Sequence, residues 1–486
     1  MTAAMRRAKI VCTIGPASRD PAMLDRLIDA GMNVARLNFS HGSQESHAAT
    51  LEAVRAAADR RHAAIALLQD LQGPRIRLGT LPDAGIALAA DQRVRLVGGL
   101  LRSGGQIGAQ TVAPSLTIEL PVTYPQLARD VRPGARILID DGRIELLASS
   151  VSGGAVECRV ITGGLVTSQK GLNLPGTVVS APTLTEKDRA DIRFGVAQQV
   201  DYLALSFVRG PEDIQAAREF VQACGGTQPI IAKIERAEAV ASLGAILDAA
   251  DGVMIARGDL GVEMGPEAVP VLQKRIILEA NRRRRVIITA TQMLESMMTQ
   301  PVPTRAEASD VANAVFDGTD AVMLSGETAR GRYPVETVAV MDRIVRAAEA
   351  ERRLAPAVDR PPGETETIAE AMCRAAASAA ATTGAVALAA LTESGMTARL
   401  LSKQQPAAPI VAFTPHEPVC RRMALYWGVT PRLMQWVPDA DEQVAEINRR
   451  LKIERLAVAG DRVVLLAGTV AGRLGGTNVM KLHVIQ

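Results

Sequence analysis

The 486-residue sequence predicts an α/β protein: a (β/α)8 barrel interrupted by an inserted small β-barrel lid domain and followed by a C-terminal α/β domain. Three observations lead there. Eight short runs rich in Val and Ile recur with helical stretches between them, as parallel strands buried on both faces do. Nearly every run ends in polar or Gly-rich sequence, which a closed parallel barrel would gather on one rim. Two stretches break the rhythm and belong elsewhere. The length itself allows about three domains at ~150 residues each.

The first three runs lie at 10–14, 34–39 and 65–68. After them, 73–181 carries short β-like stretches at 93–97, 136–139 and 156–161, with a hairpin signal in Asp140, Asp141 and Gly142. Pro74 and Pro182 bracket this insertion, which is placed to move as a lid. Runs four to eight follow at 202–207, 230–234, 253–256, 286–289 and 321–324. Pro211 opens one intervening helix and Gly225 closes it, while Thr304 and Glu307 form a capping box before another. The segment 354–364 reads as a linker. Beyond it, strands at 387–391, 410–413, 463–467 and 479–484 alternate with helices. The expected domains are 1–72 with 182–353 (barrel), 73–181 (lid) and 354–486 (C-terminal).

Composition removes several functions. Lys and Arg total 55 against 52 Asp and Glu, a formal charge of +3, and aromatic residues are 2%. Neither nucleic acid nor an anionic membrane is favoured as a partner. Five scattered cysteines show no CxxC or Cys/His cluster, so neither a disulfide frame nor structural zinc is expected. The N-terminus lacks a signal-peptide core, and the uncharged stretch 375–392 reads as a helix, a turn and a strand. The expectation is a cytoplasmic protein. Only eight of the 55 basic residues are lysines, so a lysine at a demanding position carries information.

The polar strand ends then supply a chemistry. In Lys233-Ile234-Glu235 the outer two side chains share one face of a strand. A salt bridge closing a strand end is the simpler account. Asp259, at the end of the next run, brings a second carboxylate beside Glu235. Two hard oxygen ligands with room for water and substrate suit an incomplete Mg²⁺ shell, and Lys233 beside it would stabilise a transferring phosphoryl group. Arg36, Asn38 and Ser40 project together from another strand end and, with Asp70, can hold a phosphate and a cation side by side. Ordinary rim hydrogen bonding is the better account of any one of them, but the grouping favours function. No Walker-type phosphate loop, dinucleotide fingerprint or GxSxG elbow follows a strand.

The stretches VARLNFSHG (34–42), DLQGPRIR (70–77), KGLNLPG (170–176), AKIER (232–236), ARGDLGVE (256–263), TATQMLESM (289–297), PTRAE (303–307) and LSGETA (324–329) resemble the pyruvate kinase family. They stand in its order and at its spacing over nearly the whole chain. The resemblance implies a TIM barrel with lid and C-terminal domain, and phosphoryl transfer from phosphoenolpyruvate to ADP, giving ATP and pyruvate. It further implies that Lys233 stabilises the in-flight phosphoryl group and the enolate, and that Glu235 and Asp259 bind Mg²⁺ or Mn²⁺. Gly258 and Thr291 would contact the substrate carboxylate, Thr291 also lying near the carbon that is protonated. Arg36 would hold the phosphoryl group, and Asn38, Arg77 and Lys170 would serve the nucleotide.

One departure stands out. Members that need K⁺ usually read DTKGPE where this chain has DLQGPR, so Arg75 replaces a Glu. Asn38, Ser40, Asp70 and the carbonyl of Leu71 would form the monovalent-cation position, with the Arg75 guanidinium substituting for K⁺, which then becomes dispensable. A solvent-pointing Arg75 with K⁺ still bound is the alternative. In the C-terminal domain, Thr392, Ser394, Gly395 and Thr397 open a helix after a strand and can form an anion pocket, with Arg473 in a Gly-rich loop able to cover it; a capped helix and an ordinary turn explain the same residues. Family members bind sugar-phosphate or nucleotide effectors here, usually as homotetramers. A barrel lyase acting on enolates and a non-catalytic metabolite binder are the other readings. The former would not need Arg77, Lys170 or the lid; the latter would tolerate loss of a key residue, and none is lost.

Overall fold

Each of the eight apolar runs becomes a strand of one closed parallel barrel: Lys9–Thr13, Val34–Asn38, Ala66–Asp70, Tyr202–Leu205, Ile230–Ile234, Gly252–Ala256, Val286–Ala290 and Ala321–Leu324. Burial on both faces explains their unbroken hydrophobicity; six of the eight are buried at every position, and the exceptions are Asn38 and Lys233, one on each of the other two. The computed structural model describes residues 5–99, 118–351, 365–437, 439–468 and 476–486. The linker 354–364 and Arg473 lie outside them. Among the described residues, no helix is long and apolar enough to cross a membrane.

A fourfold device pins the register at the end of the barrel away from the polar rim. Each even-numbered strand is preceded by an Asn or Asp whose side chain accepts the N–H of a residue opening the odd strand before it. Asn33 accepts from Ile10 at 3.0 Å, Asp201 from Leu67 at 2.8 Å, Asp251 from Ile230 at 2.9 Å and Asp320 from Ile287 at 2.8 Å. Buried N–H groups that the ladder leaves unpaired are thereby satisfied.

The insertion places its strands in two sheets, where the sequence predicted a small barrel. One is a two-stranded ribbon of Ile86–Leu88 and Gly164–Val166; the other has six strands, with Ile144–Ser152 and Ala155–Thr162 near its middle. Register shifts along Ile144–Ser152 mark bulges, which bend a strand. Both sheets share one apolar core containing Leu88, Leu96, Leu146 and Val166.

In the C-terminal domain a five-stranded sheet runs in the order Val429–Leu433, Ile410–Thr414, Ala387–Leu391, Arg462–Gly468 and Thr477–Val484, only the last pairing being antiparallel. Val429–Leu433 carries no clear sequence signal because Pro431 interrupts it; as an edge strand it tolerates that proline. The domain packs beneath the barrel through cations. Arg421 meets Asp201 at 3.0 Å, Lys403 pairs with Asp320, both 2% exposed, and Lys9 Nζ donates to the Val429 carbonyl at 2.7 Å. Burial, with Arg6 adding to it against Glu349, brings Lys9 down to about 7.

Candidate active site

The C-terminal ends of the second to fifth barrel strands converge on Asp70. Its carboxylate is almost completely buried and held from two sides. Arg36 approaches Oδ2 with Nε and Nη2, both at 2.7 Å, and Lys233 Nζ lies 3.2 Å from Oδ1. Burial opposes the charge on Asp70, but Lys233 and then Arg36 outweigh it, so the carboxyl sits below its ordinary value. Arg36 is oriented further by Thr13, whose Oγ1 accepts from Nη1 at 2.8 Å.

Lys233 also meets Glu235 Oε1 at 2.9 Å and donates to Ser206 Oγ at 2.7 Å. Burial disfavours its ammonium, yet Asp70 and then Glu235 more than compensate and raise its pKa above that of an ordinary lysine. It is a fixed cation. Ser206 donates in turn to the Leu71 carbonyl at 2.7 Å. The next residue, Phe207, adopts φ 57° and donates its backbone N–H to Glu235 Oε2 at 2.6 Å. A left-handed phenylalanine is a strained conformation, and here it aims a hydrogen bond at the acid.

Asp259 stands in the first turn of the helix Arg257–Met264, after the sixth strand. Among the described residues, no hydrogen bond or ion pair engages its carboxylate. Burial and the Glu235 charge push it up to about 6, against Lys233 and Arg75. Asp259 thus lacks a paired cation, although no group of three or more His, Cys, Asp or Glu is placed to hold a metal among the described residues. Gly258 N–H donates to Thr291 Oγ1 at 2.9 Å, joining the sixth and seventh strand ends. Thr291 has φ 69°, a strained value for a β-branched residue. Buried Arg257 braces it by donating to its carbonyl at 2.7 Å and to Asp310 at the same distance.

Arg77 and Lys170 are brought together on the lid. Arg77 bridges Gly171, its Nη1 donates to the Gln169 carbonyl at 2.9 Å, and Leu78 N–H pairs with the Lys170 carbonyl. Arg75 lines the cleft between lid and barrel with Phe207, Arg236 and Asp259. Burial lowers the His41 pKa, and the nearby guanidinium groups of Arg77, Arg75, Arg330 and Arg36 lower it further. A basic rim therefore surrounds the second strand end. Asn38 Oδ1 accepts from Ser40 N–H at 3.1 Å.

The C-terminal turn is engaged internally. Thr392 Oγ1 accepts from Gly395 N–H at 2.9 Å, Ser394 Oγ accepts from Met396 N–H at 3.4 Å, and the hydroxyls of Thr397 and Thr477 pair. Thr13, Ser206, Phe207 and Arg257 are the supporting residues that sequence reasoning gave no role. Thr13 and Ser206 were visible as polar residues ending their strands; nothing local marks Phe207.

A parallel barrel whose rim joins a buried lysine to paired acids and an arginine, beneath a lid bearing two more cations, defines a phosphoryl-transfer enzyme of the (β/α)8 class. Comparison with known proteins makes the class specific. Residues 5–338 match the model described as "Pyruvate kinase, barrel domain", and residues 370–483 match "Pyruvate kinase, alpha/beta domain". The chain is 44% identical over 494 residues to pyruvate kinase 2 of Synechocystis sp., covering 99% of this chain and 80% of the relative. It is 44% identical over 485 residues to a pyruvate kinase of Geobacillus stearothermophilus, with 99% and 81% covered. A crystal structure of a pyruvate kinase from Cryptosporidium parvum superposes with a TM-score of 0.89 at 35% identity, over 99% of this chain and 96% of that one. The chain belongs to the pyruvate kinase family. Its reaction is transfer of the phosphoryl group of phosphoenolpyruvate to ADP, yielding ATP and pyruvate.

Proposed function

We propose that the rim cluster around Asp70 is the phosphoryl-transfer centre and that its residues divide the work as follows. Arg36 holds the phosphoryl group. Lys233, kept charged by two acids, faces the negative charge that develops as the phosphorus–oxygen bond of phosphoenolpyruvate breaks and a bond to the terminal ADP oxygen forms. Preorganised charge of this kind needs no rearrangement during the reaction. The enolate left behind takes a proton at carbon near Thr291, while Gly258 and Thr291 position the carboxylate. Arg77 and Lys170 on the lid, with Asn38 below, receive the nucleotide. Closure of the lid would exclude water, which competes for the phosphoryl group.

Glu235 and Asp259 would hold Mg²⁺ or Mn²⁺, which when bound neutralises phosphoryl oxygens. The raised, unpartnered Asp259 carboxyl beside Glu235 supports that fit: Asp259 lacks a paired cation. Asn38, Ser40, Asp70 and the Leu71 carbonyl mark the monovalent-cation position, with Arg75 in the role of K⁺. In the C-terminal domain, Thr392, Ser394, Gly395 and Thr397, with Arg473, are read as the place of a sugar-phosphate or nucleotide effector in a homotetramer. The domain division 1–72 with 182–353, 73–181 and 354–486 follows the same reading, as does a cytoplasmic location.

The observation that carries the proposal is Lys233 clasped by Asp70 and Glu235 at the rim. It is tested with Lys233→Met in a coupled assay of ADP-dependent pyruvate formation. We expect kcat to fall by about 10²–10³-fold, the scale of losing one preorganised charge-stabilising group. Near-normal turnover in a folded variant would remove Lys233 from the mechanism.

A further inference from the structure

Lys170 is held by a part of the lid that the catalytic reading leaves without a task. Its ammonium lies 2.8 Å from Asp140 Oδ1. The backbone repeats the link, since Asp140 N–H donates to the Gly171 carbonyl at 3.1 Å. Asp140, Asp141 and Gly142 turn the hairpin between Arg136–Ile139 and Ile144–Ser152 with three successive left-handed residues, φ 54°, 55° and 84°. Asparagine makes such turns as readily as aspartate, so the turn alone does not call for a carboxylate at 140. On its other side, Lys170 is knitted to Arg77 through the main chain at Gln169, Lys170 and Leu78.

We propose that Asp140 is a positioning residue for the nucleotide, its carboxylate holding the Lys170 ammonium in place next to the segment of Arg77 before ADP arrives. A lysine side chain is flexible, and ordering it on binding costs affinity. Restrained beforehand by Asp140, it meets the diphosphate as part of an aligned cation pair. The inference rests on the reading of Lys170 as a nucleotide contact.

The test is steady-state kinetics, varying ADP and phosphoenolpyruvate in turn, on wild type, Asp140→Asn, Lys170→Met and the double variant. Asn preserves the left-handed turn and removes the charge, so an unchanged melting temperature is expected. Asp140→Asn should raise KM for ADP roughly two- to fivefold, the scale of a half-exposed charge pair, with KM for phosphoenolpyruvate unmoved. In the Lys170→Met background the same substitution should add nothing. An unchanged or lowered KM for ADP in Asp140→Asn overturns the inference, as does a rise that persists without Lys170. If Lys170→Met alone leaves ADP kinetics unaltered, the nucleotide reading of Lys170 has failed and this inference goes with it.

Discussion

At the scale of single residues, the site depends on charges whose neighbours set their state. Asp70 stays ionised because two cations reach it, and Lys233 stays protonated because two acids do. Arg75 is the residue proposed above to take the role of K⁺. It lines the cleft with Asp259 and lowers that acid's pKa, so its positive charge acts inside the site. Activity is therefore expected to persist when K⁺ is replaced by tetramethylammonium at equal ionic strength. Arg75→Glu should make turnover depend on K⁺. A wild-type rate that rises steeply on adding K⁺ would show that the guanidinium does not substitute for the ion. The acids and bases of this cluster were legible in the sequence, because the i, i+2 rule places Lys233 with Glu235 and Arg36 with Asn38. Their partners were not: Thr13 and Ser206 become relevant only when barrel closure sets strand ends beside one another.

At the scale of elements, the return segment from lid to barrel is fastened by two arginines. Arg209 Nη1 donates to the Val179 and Ala181 carbonyls at 2.8 and 3.1 Å, and Arg236 Nη2 to the Thr177 carbonyl at 3.0 Å. Arg236 leans on Glu263, whose Oε1 lies 3.5 Å away, while Glu263 Oε2 is buried without a hydrogen-bond partner. Burial pushes this carboxyl up to about 7 despite Arg236. The folded state therefore binds a proton that the unfolded state releases at its ordinary value near 4.5. The resulting stabilisation is fully present below that value and is lost as pH rises through about 7. The melting temperature of wild type should consequently fall relative to Glu263→Gln between about pH 5 and pH 8. Parallel melting curves for the two proteins over that range would rule Glu263 out as a titrating element. The insertion itself was legible from its turns and prolines. Its division into two sheets was not, since bulges arise from pairing rather than from local sequence.

At the scale of the whole molecule, the rim carries the chemistry and the opposite end carries the C-terminal domain. Two of the four residues that pin strand register, Asp201 and Asp320, are also those that Arg421 and Lys403 grip. Docking and barrel register thus share the same carboxylates. Lys403→Met would leave Asp320 charged and buried, at a cost of about 3–5 kcal/mol. Urea denaturation should register this loss, with kcat of the folded fraction little changed because the rim is remote. A loss below ~1 kcal/mol, within the range of an exposed pair, would mean that water reaches Asp320.

The sequence by itself determined the order of the eight barrel strands, the two places where the barrel rhythm breaks, and the residue types at the strand ends. Those follow from periodicity and composition, which are local. Only the tertiary structure decided that Asp70 lies between Arg36 and Lys233, that Asp259 stands unpartnered beside Glu235, and that Asp140 holds Lys170. Each joins segments tens of residues apart, and such proximity comes from closing the barrel and folding the lid, for which no short stretch of chain carries a signal.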